Sequence, residues 1–151
     1  MKKIILSAAV LALTVTAFAQ KKVDDIAKFT TETISLGKIK QGVPTKGVFT
    51  VTNISNQALI IEQANPTCGC TISDYTKEPI AAGKTGVINA TYNAANVGHF
   101  DKHLTVKFAG IDEMKSITLT GDVIAAEEFD KMTPAVPAKT TEAPAKKTKN
   151  K

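Results

Sequence analysis

The chain has 151 residues, which suits one domain of ordinary size, and its 43% hydrophobic content excludes a wholly disordered protein. The net charge of +5 is concentrated at the two ends, because residues 20–132 contain 12 lysines and 13 acidic residues. Arginine, the residue best suited to binding phosphate and guanine, is absent. A protein that binds nucleic acid is therefore not expected.

The first 19 residues have the three parts of a secretory signal peptide. A charged start at residues 1–3 precedes an apolar run at residues 4–16, and Ala17-Phe18-Ala19 matches the A-x-A cleavage site. The apolar run is shorter than the roughly 20 residues that span a bilayer, which argues against a transmembrane anchor. The sequence predicts cleavage between Ala19 and Gln20, a periplasmic or secreted location, and a mature chain without a transmembrane segment.

Residues 20–28 are predicted to be a linker and residues 29–124 to be the folded domain. Apolar and polar residues alternate in this domain, and turn residues recur about every 8–12 positions, as in antiparallel β-sandwiches. A first strand is predicted at residues 30–34, and later ones around Phe49, Ile61, Ile72, Ile88, Leu104 and Ile117. This pattern predicts an all-β fold, a seven-stranded antiparallel immunoglobulin-like β-sandwich.

The parity of the apolar residues within each strand predicts the core. Residues of one parity point to the same face of a strand, and that face is buried between the two sheets. The predicted core residues are Phe49, Val51, Ile61, Ile88, Tyr92, Leu104, Val106, Phe108, Ile117 and Leu119.

Residues 125–151 are a low-complexity tail rich in Ala, Pro, Lys and Thr. A short amphipathic helix is possible only near residues 125–131. From about residue 134 the tail is predicted to be disordered, because it has too few apolar residues to offset the entropy of ordering. An alternative is that its lysines tether the protein to acidic envelope polymers.

Cys68-Gly69-Cys70 is the most informative tripeptide. Two thiols this close can form a disulfide in an oxidising compartment, and Gly69 can adopt the dihedral angles that so small a ring needs. Three interpretations remain open for the pair. It is a local structural element, a site of thiol–disulfide exchange, or a copper(I) site built from two thiolates.

Other candidate sites are weaker. His99 and His103 lie four residues apart in a predicted strand, a spacing of roughly 13 Å that prevents them from sharing one metal ion. No motif of a hydrolase, metalloprotease or phosphate-binding loop is present. Two glycosylation tripeptides begin at Asn53 and Asn89. The sequence predicts a protein that is not an enzyme and needs no cofactor.

Several short motifs in order resemble the exported bacterial domain-of-unknown-function family numbered 1573. They are Leu36-Gly37-Lys38-Ile39, Gly42, the segment 49–53, Cys68-Gly69-Cys70-Thr71, the segment 77–80 with Gly83, Gly98 with Phe100 and Lys102, and Leu119 with Gly121 and Val123. The resemblance covers residues 33–123 and implies an immunoglobulin-like fold of the Hydin and abnormal-spindle type. The chain departs from the family pattern at Leu36, where Phe is usual, and at Ala82, where Pro is usual. The family has no established activity.

The leading functional hypothesis is an exported, non-enzymatic β-sandwich that binds a protein or an envelope polymer. The alternative is a periplasmic thiol-redox or copper(I)-binding protein that acts through Cys68 and Cys70.

Overall fold

The structure is a computed structural model that describes residues 21–132 as two four-stranded sheets. The strands are β1 (Ala27–Phe29), β2 (Thr33–Lys40), β3 (Thr45–Asn53), β4 (Ile61–Pro66), β5 (Thr71–Tyr75), β6 (Thr85–Tyr92), β7 (Gly98–Phe108) and β8 (Met114–Ile124). The first sheet has the order β1-β3-β6-β5 and the second β2-β8-β7-β4. A 3₁₀ turn, Val23–Asp25, precedes β1, and a short helix α1, Ala126–Met132, follows β8. The predicted signal peptide and the predicted disordered tail lie outside the described residues.

The fold has eight strands where the sequence predicts seven, because the N-terminal strand is divided between the two sheets. β1 pairs antiparallel with β3, whereas β2 pairs in parallel with β8. The prediction of a purely antiparallel sandwich is therefore wrong at this edge. Residues 30–32, predicted to begin the first strand, form the connection between the sheets. They contain no Gly, Pro or Asn, so nothing in their composition marks the break.

The packed part of the chain begins before residue 29, within the segment predicted to be a linker. Val23 and Ala27 are both buried. The backbone N–H of Val23 donates a hydrogen bond of 2.6 Å to the Glu113 carboxylate, just before β8. These contacts make residues 23–28 part of the sandwich.

An ion-pair cluster also holds this N-terminal segment against β8. The Lys115 ammonium lies 2.8 Å from the Asp24 carboxylate and 2.7 Å from that of Glu32. The side-chain hydrogen bond to Asp24, followed by that to Glu32, raises the pKa of Lys115 above its usual value. Lys115 therefore stays charged and joins the residues on either side of β1.

The core lies where the sequence predicts it. All ten predicted core residues are buried, and on β3, β6, β7 and β8 the residues of opposite parity are partly or fully exposed. Phe100 extends this core toward the start of β7, where its ring stacks on Tyr92 with the centroids 4.0 Å apart. Gly121 lies directly beneath this ring, since a Cβ built there would stand 2.7 Å from Phe100 and 2.9 Å from the Gly37 carbonyl oxygen. A larger residue at position 121 would displace the ring or the β2 backbone.

Asn53, at the end of β3, organises the loops at one end of the sandwich. Its side chain is fully buried, and its Nδ2 donates hydrogen bonds to the carbonyls of Gln57 (2.6 Å) and Ile80 (2.8 Å). Its Oδ1 accepts hydrogen bonds from the backbone N–H (2.9 Å) and the hydroxyl (2.8 Å) of Ser55. In the folded protein, the side-chain amide of the Asn53 glycosylation tripeptide is therefore buried and used in structural hydrogen bonds.

The register of β3 can be tested with a pair of matched substitutions. Val51→Ala should lower the free energy of unfolding by about 2 kcal/mol, because it leaves a cavity in the core. Val48→Ala, on the same strand but with its side chain 46% exposed, should change it by less than about 0.5 kcal/mol. Urea denaturation of both variants measures the difference. Equal losses would show that the register is shifted by one residue.

Candidate functional site

The chain crosses between the sheets at the cysteine tripeptide. The backbone N–H of Thr67 donates to the His103 carbonyl at 3.0 Å and continues the β4–β7 ladder by one step. The backbone N–H of Asn93 donates to the Cys70 carbonyl at 3.1 Å and continues the β6–β5 ladder. Only Cys68 and Gly69 therefore lie between the last hydrogen bond of one sheet and the first of the other.

Cys68 and Cys70 are joined in a disulfide across this crossing, the state favoured by their spacing. Their Cα atoms are 5.4 Å apart, less than the roughly 7 Å of an extended pair, so the chain turns sharply at Gly69. Both cysteines are half-buried, and Cys70 packs against the core. The Cys68 sulfur lies 3.8 Å from the hydroxyl of Thr71, a buried residue.

Two further loops meet this crossing at the same end of the sandwich. The β2–β3 loop, residues 41–44, is joined to the β6–β7 loop, residues 93–97, by a hydrogen bond of 2.9 Å from the Gly42 N–H to the Ala94 carbonyl. The Gln41 side-chain amide donates to the Ala95 carbonyl at 3.1 Å. We call residues 41–44, 67–70 and 93–97 together the disulfide end.

The disulfide end has no charged residue among its 13 positions. Val43 and Val97 are 48% and 55% exposed, and Ile72, at the start of β5 beside it, is 74% exposed. The loops at the opposite end include Glu32, Glu78 and Lys84 together with other charged residues. Sequence reasoning missed this surface, because its three segments come together only through the sheet topology.

The two histidines are exposed on the outer face of the second sheet, at positions of the same parity in β7. The His99 Nδ1 lies 3.0 Å from the Asp122 carboxylate. The His103 Nδ1 lies 3.1 Å from the Thr118 hydroxyl, and its Nε2 lies 3.5 Å from Asp101. Within residues 21–132, no three His, Cys, Asp or Glu side chains are placed to hold one metal ion.

The disulfide should contribute little to global stability. Replacing both Cys68 and Cys70 with serine should lower the free energy of unfolding by less than about 1 kcal/mol, because the closed ring is so short. Thermal and urea denaturation of the oxidised protein and the double variant measure the effect. A loss above about 3 kcal/mol would mean that the disulfide is a principal structural element and that the crossing cannot form without it.

Within the described part of the chain, no helix has the length and hydropathy to cross a membrane.

The structural comparisons concern this same sandwich. A protein of unknown function from Porphyromonas gingivalis W83 has a TM-score of 0.57 and 10% identity, over 65% of this chain and 46% of that one. The ASH/PapD-like domain 7 of human CEP192 has a TM-score of 0.54 and 13% identity, over 83% of this chain and 99% of that domain.

The Vibrio cholerae VesB protease also contains a similar fold, with a TM-score of 0.51 and 18% identity, over 66% of this chain and 32% of that one. The chain thus spans less than half the length of the Porphyromonas gingivalis and Vibrio cholerae proteins. Identities this low show a shared immunoglobulin-like fold and nothing about activity. None of the curated protein sequences compared with the chain matches it. A family model does match, over residues 27–123, and the chain belongs to the family described as "Protein of unknown function (DUF1573)", as its sequence motifs indicate.

Proposed function

We propose that this protein is an exported, non-enzymatic binding module that docks a partner protein on its disulfide end. One observation carries the proposal: three separate loops meet there with no charged residue, in a chain in which 22% of residues are charged. The centres of protein interfaces are depleted in charged residues, whereas a surface that only faces water retains them. The exposed Val43, Val97 and Ile72 supply apolar area for such a contact.

The disulfide end is also held in a defined shape. Hydrogen bonds join its loops, and the disulfide fixes the sheet crossing. Ala94 has a φ of 52°, in the left-handed region that non-glycine residues rarely adopt, and it is fully buried. Strained backbone of this kind persists where the surroundings impose it, and it is concentrated at functional sites. A surface ordered before binding loses less entropy when the partner docks.

A protein partner fits this surface better than an acidic envelope polymer does. Acidic polymers are bound by clusters of cationic side chains, and the disulfide end contains no lysine. An uncharged surface with exposed valines suits apolar protein contacts. The envelope polymer stays an outcome of the test below, through the lysines of the tail.

Export is the second part of the proposal, and it rests on the signal-peptide pattern of residues 1–19. The disulfide between Cys68 and Cys70 fits an oxidising compartment outside the cytoplasm. The mature protein should have the intact mass of residues 20–151, with loss of ammonia if Gln20 cyclises. A purified protein that retains residues 1–19 would contradict export by this route.

Docking can be tested with a photo-reactive amino acid at Val97, with Ile54 as the matched control position. Ile54 is 49% exposed and follows β3 at the opposite end of the sandwich. We expect cross-links to one partner protein from position 97 and not from position 54. With that partner purified, Val97→Asp should weaken binding at least tenfold, and Ile54→Asp should leave it within twofold.

Three results would contradict this docking site. Cross-links of equal yield from both positions would show nonspecific contact. The absence of any cross-link from position 97 would show that no partner protein docks there. Binding only to acidic polymers, and unchanged by Val97→Asp, would assign the interaction to the tail.

A second candidate function is thiol–disulfide exchange at Cys68 and Cys70. The observation that favours it is the half-exposed disulfide with a hydroxyl beside one sulfur, since Thr71 can donate a hydrogen bond to a Cys68 thiolate. In the exchange, an external thiolate attacks one sulfur, a mixed disulfide forms, and the other sulfur leaves as a thiolate. A second external thiolate then attacks the mixed disulfide and releases the remaining protein sulfur as a thiolate. Copper(I) binding would require this fully reduced state, with both thiolates free.

The exchange is measured by equilibrating the protein with glutathione buffers and alkylating the free thiols. Reversible exchange at a moderate potential, together with slower reduction in Thr71→Val than in the unchanged protein, would support a redox role. Copper(I) held by the reduced protein and lost in the double-serine variant would support the metal role. If the pair resists glutathione and the reduced protein binds no copper(I), both roles are excluded.

A further inference from the structure

The second sheet has an open backbone edge beside the disulfide. β4 covers β7 only as far as the pairing of Pro66 with Leu104, and Thr67 adds the last hydrogen bond, to His103. β7 continues for five more residues, Gly98–Lys102, paired on its other side with β8. At this point the chain that formed β4 has crossed to the first sheet.

The direction of the backbone groups follows from the ladder. In a strand, the N–H and C=O of one residue point to the same side, and successive residues alternate. The His103 carbonyl points toward β4, so the backbone groups of Asp101 and His99 point the same way. Among residues 21–132, neither residue has a backbone hydrogen-bond partner on that side. Two N–H donors and two C=O acceptors are thus aligned along an open edge.

Two other stretches of strand edge are protected. The hydroxyl of Tyr75 donates to the Glu62 carbonyl at 2.6 Å, and that of Ser73 donates to the Ala64 carbonyl, so side chains of β5 cover the outer edge of β4. The C-terminal half of β2 is flanked by α1 through the ion pair between Lys40 and Asp130 at 2.6 Å. The β7 edge over His99–Asp101 has no such cover within residues 21–132, and it adjoins the disulfide end.

We infer that the open edge of β7 over His99–Asp101 binds an extended, uncharged segment of a partner polypeptide as an added β-strand. The inference rests on the proposed docking function and names the form of the partner. Aligned main-chain donors and acceptors are matched by the backbone of an extended peptide. The segment would continue the line of β4, antiparallel to β7, and would run beside the uncharged disulfide end. Apart from Asp101 on β7 itself, a charged segment would find no charged side chain among residues 41–44, 67–70 and 93–97.

The probe is an eight-residue peptide with blocked ends that alternates Thr and Val. Amide hydrogen exchange of the mature protein is followed by NMR with and without the peptide. The His99 and Asp101 amides should exchange quickly in the free protein and at least tenfold more slowly with the peptide. The Phe100 and Lys102 amides point toward β8 and should be protected in both states, which provides an internal control.

Two variants separate main-chain from side-chain recognition. Asp101→Pro removes the outward N–H without removing a hydrogen bond to β8, and it should weaken peptide binding at least tenfold. Asp101→Ala keeps the N–H and should leave binding within twofold. N-methylation of alternate peptide residues removes the N–H donors that would face β7. A peptide modified in this way should not slow exchange of the His99 and Asp101 amides. The exchange experiment needs only the unchanged protein, so it stands even if Asp101→Pro fails to fold.

Several results would overturn the inference. His99 and Asp101 amides that are already protected in the free protein would mean that another part of this chain occupies the edge. Peptide binding at β1 or β5 would place strand addition at another edge. No peptide binding at all would exclude it. A partner that cross-links at Val97 but leaves the His99 and Asp101 amides unchanged would refute strand addition and leave the docking function standing. The absence of both effects would refute both proposals.

Discussion

The structure depends on a crossing between two sheets that takes only two residues. Thr67 is still hydrogen-bonded to β7, and Cys70 is already hydrogen-bonded beside β6. Because β4 must leave the second sheet at this point, β7 extends beyond its neighbour. Because the crossing is so short, the cysteines are brought close enough to pair, and Gly69 supplies the turn between them. The disulfide and the open edge are two consequences of one topological step.

Proline fits this crossing for a reason that differs from simple strand termination. β4 ends at Pro66, a residue that cannot donate to a ladder. Thr67 bonds to His103, so the neighbouring Pro66 presents its nitrogen to the side away from β7. No ladder hydrogen bond is lost, and proline at an edge strand also discourages unwanted pairing on its free side. Pro66 therefore leaves the hydrogen bond from Thr67 to His103 intact and disfavours strand pairing on the outer side of β4.

The sequence predicts the sheet interiors well and the edges poorly, and both results have a physical cause. Alternation of polar and apolar residues is a local property, so the faces of Phe49, Leu104 and Ile117 are correctly assigned. The division of the first strand and the parallel pairing of β2 with β8 depend on contacts between distant parts of the chain. The burial of Val23 depends on such contacts too. The disulfide pair is visible in the sequence, but the neutral surface around it requires the fold.

The distribution of charge distinguishes the three loops of the disulfide end from the structure around them. Ion pairs join Lys115 to the N-terminal segment, and Lys107 of β7 lies 3.3 Å from the Glu62 carboxylate of β4. Charged side chains of this kind keep the sheet faces hydrated and discourage association. At the disulfide end they are absent from all three loops, although loops ordinarily carry polar and charged residues. The three loops therefore form an uncharged surface within a charged sandwich, and β7 places open backbone groups beside it.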